Sequence, residues 1–144
     1  MTTPQPSSQG PSSAQQPLRP VFDNVEEWVL ERFCPVFTRT LGGEYRWCGK
    51  WWLHPEAVSR LTALWRAWET LRLEPALGIA EWYQHVDHHL PILMGPRGPF
   101  YQCTEQEHIE PHVAQCIPAP AGYWDVFKRD QEDESDSDHA RDRR

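Results

Sequence analysis

The sequence predicts a mainly α-helical small single domain of about three principal helices, joined by short strands or extended segments and flanked by disordered tails. Three observations predict it. Apolar residues recur at helical spacing in three separate stretches, prolines and glycines separate those stretches, and every tryptophan, tyrosine, phenylalanine and cysteine falls within residues 21–127.

The first helix is expected from Phe22 onward, where Val25, Trp28, Val29 and Phe33 share a face. Asp23 and Asn24 stand at its start, and Glu26 and Glu27 suit the positive end of the helix dipole. Pro35 disfavours helical backbone in the residue before it, so the helix should end by Cys34. Gly42 and Gly43 then break the chain ahead of Glu44 to Trp47, which suits a short strand.

The second helix lies in the tryptophan-dense block from Trp47 to Glu69, which carries five of the eight tryptophans. His54 precedes it and Pro55 occupies the favoured first position. Val58, Leu61, Leu64, Trp65, Trp68 and Leu71 form one apolar stripe, with Glu56 and Arg60 paired on the outer face. Pro75 limits it. A third helix from about Leu77 presents Ile79, Trp82, His85, Val86, His89 and Leu93 on one side, with Pro91 expected to break or kink it. Gly95 to Cys103 reads as a turn leading into a short aromatic strand, and Tyr123, Trp124 and Phe127 are expected to fold back and close the core.

The ends have a different composition. Residues 1–20 hold five prolines, four serines and four glutamines, and residues 128–144 hold a run of six acids between Asp130 and Asp138. Neither buries enough apolar surface to offset its chain entropy, so both are expected to be disordered. No apolar leader or membrane-length span is visible, which implies a soluble, cytoplasmic protein. The net charge is −7, and residues 21–127 carry fourteen acids against eight lysines and arginines. That balance lacks the positive footprint on which nucleic-acid affinity depends, and leaves a protein partner as the expected kind.

The block WCGKWWLHPEAVSRLTALWRAWE, with EWYQHVDHHL from Glu81 to Leu90 and GPFYQC from Gly98 to Cys103, resembles the family known as domain of unknown function 4913. The resemblance runs from about Phe22 to Trp124. Relatives commonly have Pro-Arg after the cysteine where this chain has Gly49-Lys50, and a proline where it has His88. The resemblance implies a setting in actinobacterial genomes, plasmids and phages, with no activity attached; the leading reading is an uncharacterised accessory or protein-interaction protein of such a mobile element.

Candidate chemistry resides in Cys48, His54, His85, His89, Cys103 and His108, since thiolate and imidazole together suit zinc. His85 and His89, one helical turn apart, can aim both rings at one ion, with Cys103 and His108 supplied by the following loop. A second, local set is Cys103, His108, His112 and Cys116. The alternative is a metal-free core in which the histidines bond to carbonyls and the cysteines pack as small apolar groups. Adjacent Trp51 and Trp52 cannot face the same way on a strand, so one is a candidate binding anchor and the other a core residue.

The competing class is a small metal- or cysteine-dependent enzyme. Asp87-His88-His89 resembles the triplet of metal phosphoesterases, but Asp23 is the one aspartate ahead of it in the domain, which leaves the metal short of carboxylates. HVDHH lacks the glutamate of a zinc protease helix. Cys48 or Cys103 could pair with His54 or His85 as a nucleophile and base, although no orienting motif accompanies them.

Overall fold

The computed structural model describes residues 19–128; the rest of the two tails expected to be disordered, with the acid run from Asp130 to Asp138, lies outside them. The chain divides into two compact units, Met1–Pro111 and His112–Arg144. The first contains helices α1 (Val25–Trp28), α2 (Cys34–Val36), α3 (Pro55–Leu71) and α4 (Gly78–Leu93), with a π turn at Val29–Phe33 and a 3₁₀ turn at Trp51–Leu53.

α1 opens as its sequence dictates. The Asn24 side chain accepts from the Glu27 N–H at 3.0 Å, and the Glu27 carboxylate accepts from the Asp23 N–H at 3.0 Å. These bonds satisfy donors that the first turn leaves free. The helix then passes its expected end at Cys34 and runs to Val36. Proline normally stops a helix because its ring meets the carbonyl four residues back and it has no N–H to donate. The π turn widens the ladder just before Pro35, with the Cys34 N–H bonding to the Val29 carbonyl, so the proline is accommodated in the final turn.

α3 packs against α4, and α1 against α3. Ala57, Leu61, Leu64 and Trp68 are the buried stripe of α3, with Val58, Trp65 and Leu71 at its margins. On α4 the buried row is Gly78, Trp82, Val86, Leu90 and Leu93, while Ile79 and His85 are exposed. Trp82, Val86 and Leu93 are thus buried as expected, while Gly78 and Leu90 take the places expected for Ile79 and His85. The rows 82-86-90 and 85-89-93 adjoin on a helix, and burial takes the first row with Leu93 and leaves both imidazoles of the second outside the core. Pro91 sits within the last turn without ending the helix. Trp28, Phe33, Trp82 and Phe100 are the largest fully buried side chains, with Trp28 set edge-on to Trp82 at 6.3 Å between centroids.

Among the described residues there is no β-strand, and the expected strands resolve into turns. Leu41 and Tyr45 form a single β-bridge around Gly42, whose φ of 101° favours glycine. Arg46 donates its N–H to the Met94 carbonyl at 2.7 Å, so this segment is tied to the end of α4 and not to another strand. The residues around Phe100 make consecutive reverse turns, with Tyr101 bonded to Gly98 and Cys103 to Phe100. In the second unit Tyr123 and Trp124 pack edge-on and Trp124 packs on Phe127. No described helix is long and apolar enough to cross a membrane.

Glu69 anchors the start of the unit to α3. Its carboxylate accepts from the backbone N–H groups of Val21 and Phe22 at 2.9 and 3.0 Å, from Arg72 Nε at 2.9 Å and from Trp65 Nε1 at 3.3 Å. Burial pushes this carboxyl up, but the Phe22 and Val21 N–H groups, Arg72 and Trp65 outweigh it and hold the pKa below the ordinary 4.5. The folded state thus binds its proton less readily than the unfolded chain, and this stability is present above pH 4.5 and lost as pH falls below it. Glu69→Gln is expected to cost about 1–3 kcal/mol at pH 7 and to flatten the acid limb of stability, as measured by urea denaturation between pH 3 and 7. An unchanged acid limb would show that Glu69 does not carry it.

Candidate metal centre

Two loops of the first unit each contribute one cysteine and one histidine. Cys48 follows Trp47 in the loop before the 3₁₀ turn, and His54 is the residue before α3. The His54 backbone is extended (φ −108°, ψ 102°) and its side chain makes no capping bond, so the imidazole is directed inward and is buried. Cys103 is carried by the turn after Phe100, and His108 by the loop beyond it. The Thr104 hydroxyl accepts from the N–H groups of Gln106 and Glu107, and the Thr104 N–H bonds to the Glu107 carbonyl. This small turn brings His108 back over Cys103.

Gly49 lets the loops meet. Its N–H bonds to the Thr104 carbonyl at 3.3 Å, and a Cβ at this position would collide with the carbonyl oxygen of Glu105. Close backbone approach is the reason for glycine here.

The four ligand atoms of Cys48, His54, Cys103 and His108 lie within 4.8 Å of one another. Cys48 Sγ is 3.4 Å from His108 Nδ1, Cys103 Sγ is 3.4 Å from His54 Nε2, and Cys103 Sγ is 4.0 Å from His108 Nδ1. Zinc bound tetrahedrally, with Zn–S about 2.3 Å and Zn–N about 2.0–2.1 Å, separates its ligands by about 3.3–3.8 Å. Two of these separations fall in that range and the widest exceed it by up to about 1 Å, so the donor set fits a four-coordinate metal site once drawn in around an ion.

The surroundings support the same chemistry. His108 Nε2 faces the Glu110 carboxylate at 3.2 Å, an arrangement that orients a ring coordinating through Nδ1. The Ile109 N–H donates to Cys103 Sγ at 3.3 Å, and the Lys50 backbone N–H bonds to Cys48; both stabilise sulfur that carries negative charge. Burial pushes the Cys48 thiol up, against the Lys50 N–H, and Cys103 adds to the rise. A bound cation reverses that balance. Burial lowers the His54 pKa below the ordinary 6.5, and the adjacent His108 lowers it further. His54 is thus neutral at pH 7, as a metal ligand must be. Its Nδ1 is buried without a hydrogen-bond partner.

A family model described as a domain of unknown function (DUF4913) matches residues 22–122. The chain belongs to that family. The DUF4913 match spans all four donor residues. No curated protein and no solved structure matches the chain.

Of the six candidate ligands read from the sequence, the structure brings together Cys48, His54, Cys103 and His108. His85 is exposed on α4, and His89 Nδ1 contacts Arg60 at 3.0 Å. Burial lowers the His89 pKa, as does the Arg60 cation, which also opposes a metal ion at that nitrogen. His112 and Cys116, of the local alternative set, belong to the second unit, where Cys116 is exposed. Trp51 is 4% exposed and Trp52 53%, so the 3₁₀ turn directs the neighbours to opposite environments. Trp51 is a core residue. The signal available in the sequence was two short Cys-His pairs, Cys48 with His54 and Cys103 with His108, each lying outside the long helices.

Proposed function

We propose that this domain is a non-enzymatic accessory or interaction module whose loops are braced by a structural zinc ion on Cys48, His54, Cys103 and His108. The observation that carries the reading is the convergence of four donors of zinc-binding type, three of them buried, from two loops that share a single backbone hydrogen bond between Gly49 and Thr104. Four protein ligands fill a tetrahedron and leave no position for substrate, which is the pattern of structural sites and not of catalytic ones. The metal holds the fold; recognition is then the task of the surface. Trp52, exposed beside the site, and the acidic balance of the chain favour a protein partner over nucleic acid. The setting in an actinobacterial mobile element and a cytoplasmic location complete the proposal on the family resemblance.

The test is elemental analysis and X-ray absorption of the untagged full chain. One zinc per chain with two sulfur and two nitrogen ligands is the expected result. Absence of stoichiometric zinc would overturn the metal reading. Zinc with a water ligand or an exchangeable position would overturn the structural role in favour of a metal-dependent enzyme.

A further inference from the structure

We infer that the paired cysteines of this centre form a peroxide-sensitive modification site, in which a hydroperoxide converts Cys48 and Cys103 to a disulfide and ejects the metal. The inference rests on the zinc reading and adds its regulation. Three observations carry it.

The first is the pairing of the backbones. Cys48 and Cys103 are each followed directly by residues joined through the Gly49 N–H and Thr104 carbonyl, and both sulfurs lie within the same 4.8 Å group. A disulfide needs the two sulfurs, already within 4.8 Å, to close to about 2.05 Å. The second is an asymmetry of access. Cys103 lines a cavity of about 210 Å³ shared with Arg46, Trp47, Thr104 and Glu105, whereas Cys48 is fully buried and does not line it. The cavity is large enough for a molecule the size of hydrogen peroxide. The third is the Arg46 side chain, which lines the same cavity with a buried Nε that has no hydrogen-bond partner. A guanidinium N–H is suited to stabilise the hydroxide that departs when the peroxide bond breaks.

The chemistry balances without a further reagent. The Cys103 thiolate attacks one peroxide oxygen, the O–O bond breaks, and hydroxide leaves, giving a sulfenic acid on Cys103. The Cys48 thiolate then attacks that sulfur, forms the S–S bond and displaces a second hydroxide. The two sulfurs lose two electrons and the two peroxide oxygens gain them; both hydroxides are protonated to water by the buffer acid. Zinc keeps its charge of +2, loses both thiolates and departs from two neutral imidazoles. A dithiol reductant reverses the change by thiol–disulfide exchange.

The experiment uses the zinc-loaded full chain with Cys34 and Cys116, both exposed, replaced by serine to remove competing thiols. Hydrogen peroxide is added with a chromophoric zinc indicator, and the products are mapped by non-reducing peptide mass spectrometry. The expected result is one zinc released per peroxide consumed, a Cys48–Cys103 linkage, and recovery of both thiols and zinc binding with dithiothreitol. Arg46→Gln should retain zinc and slow its release by about tenfold. Retention of zinc with both thiols intact, or release accompanied by sulfinic acid and no linkage, would overturn the inference while leaving the structural site standing. A chain that binds no zinc before peroxide is added overturns the underlying reading instead.

Discussion

Removing zinc with a chelator is expected to lower the melting temperature of the purified protein by more than about 10 °C, and re-adding zinc to restore it. The expected size follows from what the metal would replace. Cys48 and His54 precede α3, Cys103 and His108 follow α4, and no helix contains any of the four. Structural zinc in small finger peptides contributes an apparent ~10–16 kcal/mol at pH 7, as much as the whole stability of an ordinary domain. This unit also has a packed helical core, so only part of that energy should appear as a difference between holo and apo protein. Even about 3 kcal/mol shifts melting by about 12–24 °C at about 4–8 °C per kcal/mol.

The same effect should depend on pH. Metal ligands bind only when deprotonated, so protons compete with zinc and the holo advantage shrinks as the medium is acidified. Burial pushes the Cys48 thiol up, so protons compete with zinc for it throughout this range; burial and the neighbouring His108 hold His54 below 6.5, so the imidazole adds to the competition only below that value. Melting measured with and without chelator from pH 8 to pH 5 reports both points. Equal melting curves at every pH, with no zinc in the protein, would show that the Cys48–His108 and Cys103–His54 contacts are thiol–imidazole hydrogen bonds alone.

The second large effect is expected in the core. Trp82→Ala should destabilise the domain by about 3–5 kcal/mol, the usual cost of truncating a buried tryptophan. Trp82 is fully buried on α4, donates its Nε1–H to the Leu64 carbonyl of α3 at 3.0 Å, and packs against Trp28 and Phe37. One substitution thus removes a bond between the two long helices and leaves a void between α1 and α4. Trp82→Phe retains most of the packing and should cost less, with the excess assigned to the lost indole donor. Urea denaturation measures both. A loss below about 1 kcal/mol for the alanine variant would mean that the core closes around the vacancy.

The helices were legible because their determinants are local. Pro55, the Val58 to Leu71 stripe and the Glu56–Arg60 pair define α3 without reference to any other part of the chain. The extension of α1 into Val36 was not legible, since a π turn that admits Pro35 depends on how Phe33 and Phe37 pack. On α4 the sequence placed Trp82, Val86 and Leu93 on the core side, but the packing of α3 and α4 leaves Ile79 and His85 exposed and buries Leu90.

The site divides along the same line. Composition established that thiol and imidazole ligands were available and that the chain is acidic, and the tryptophan-dense block established its family and its main helix. Tertiary structure alone decided that Cys48 and His54 meet Cys103 and His108, and that the His85–His89 pair stays apart from them. A helical repeat is written in neighbouring residues, whereas a four-donor centre depends on distances between loops remote in sequence. Here those distances are set by α3 and α4 packing together and by the Gly49 backbone resting against Glu105.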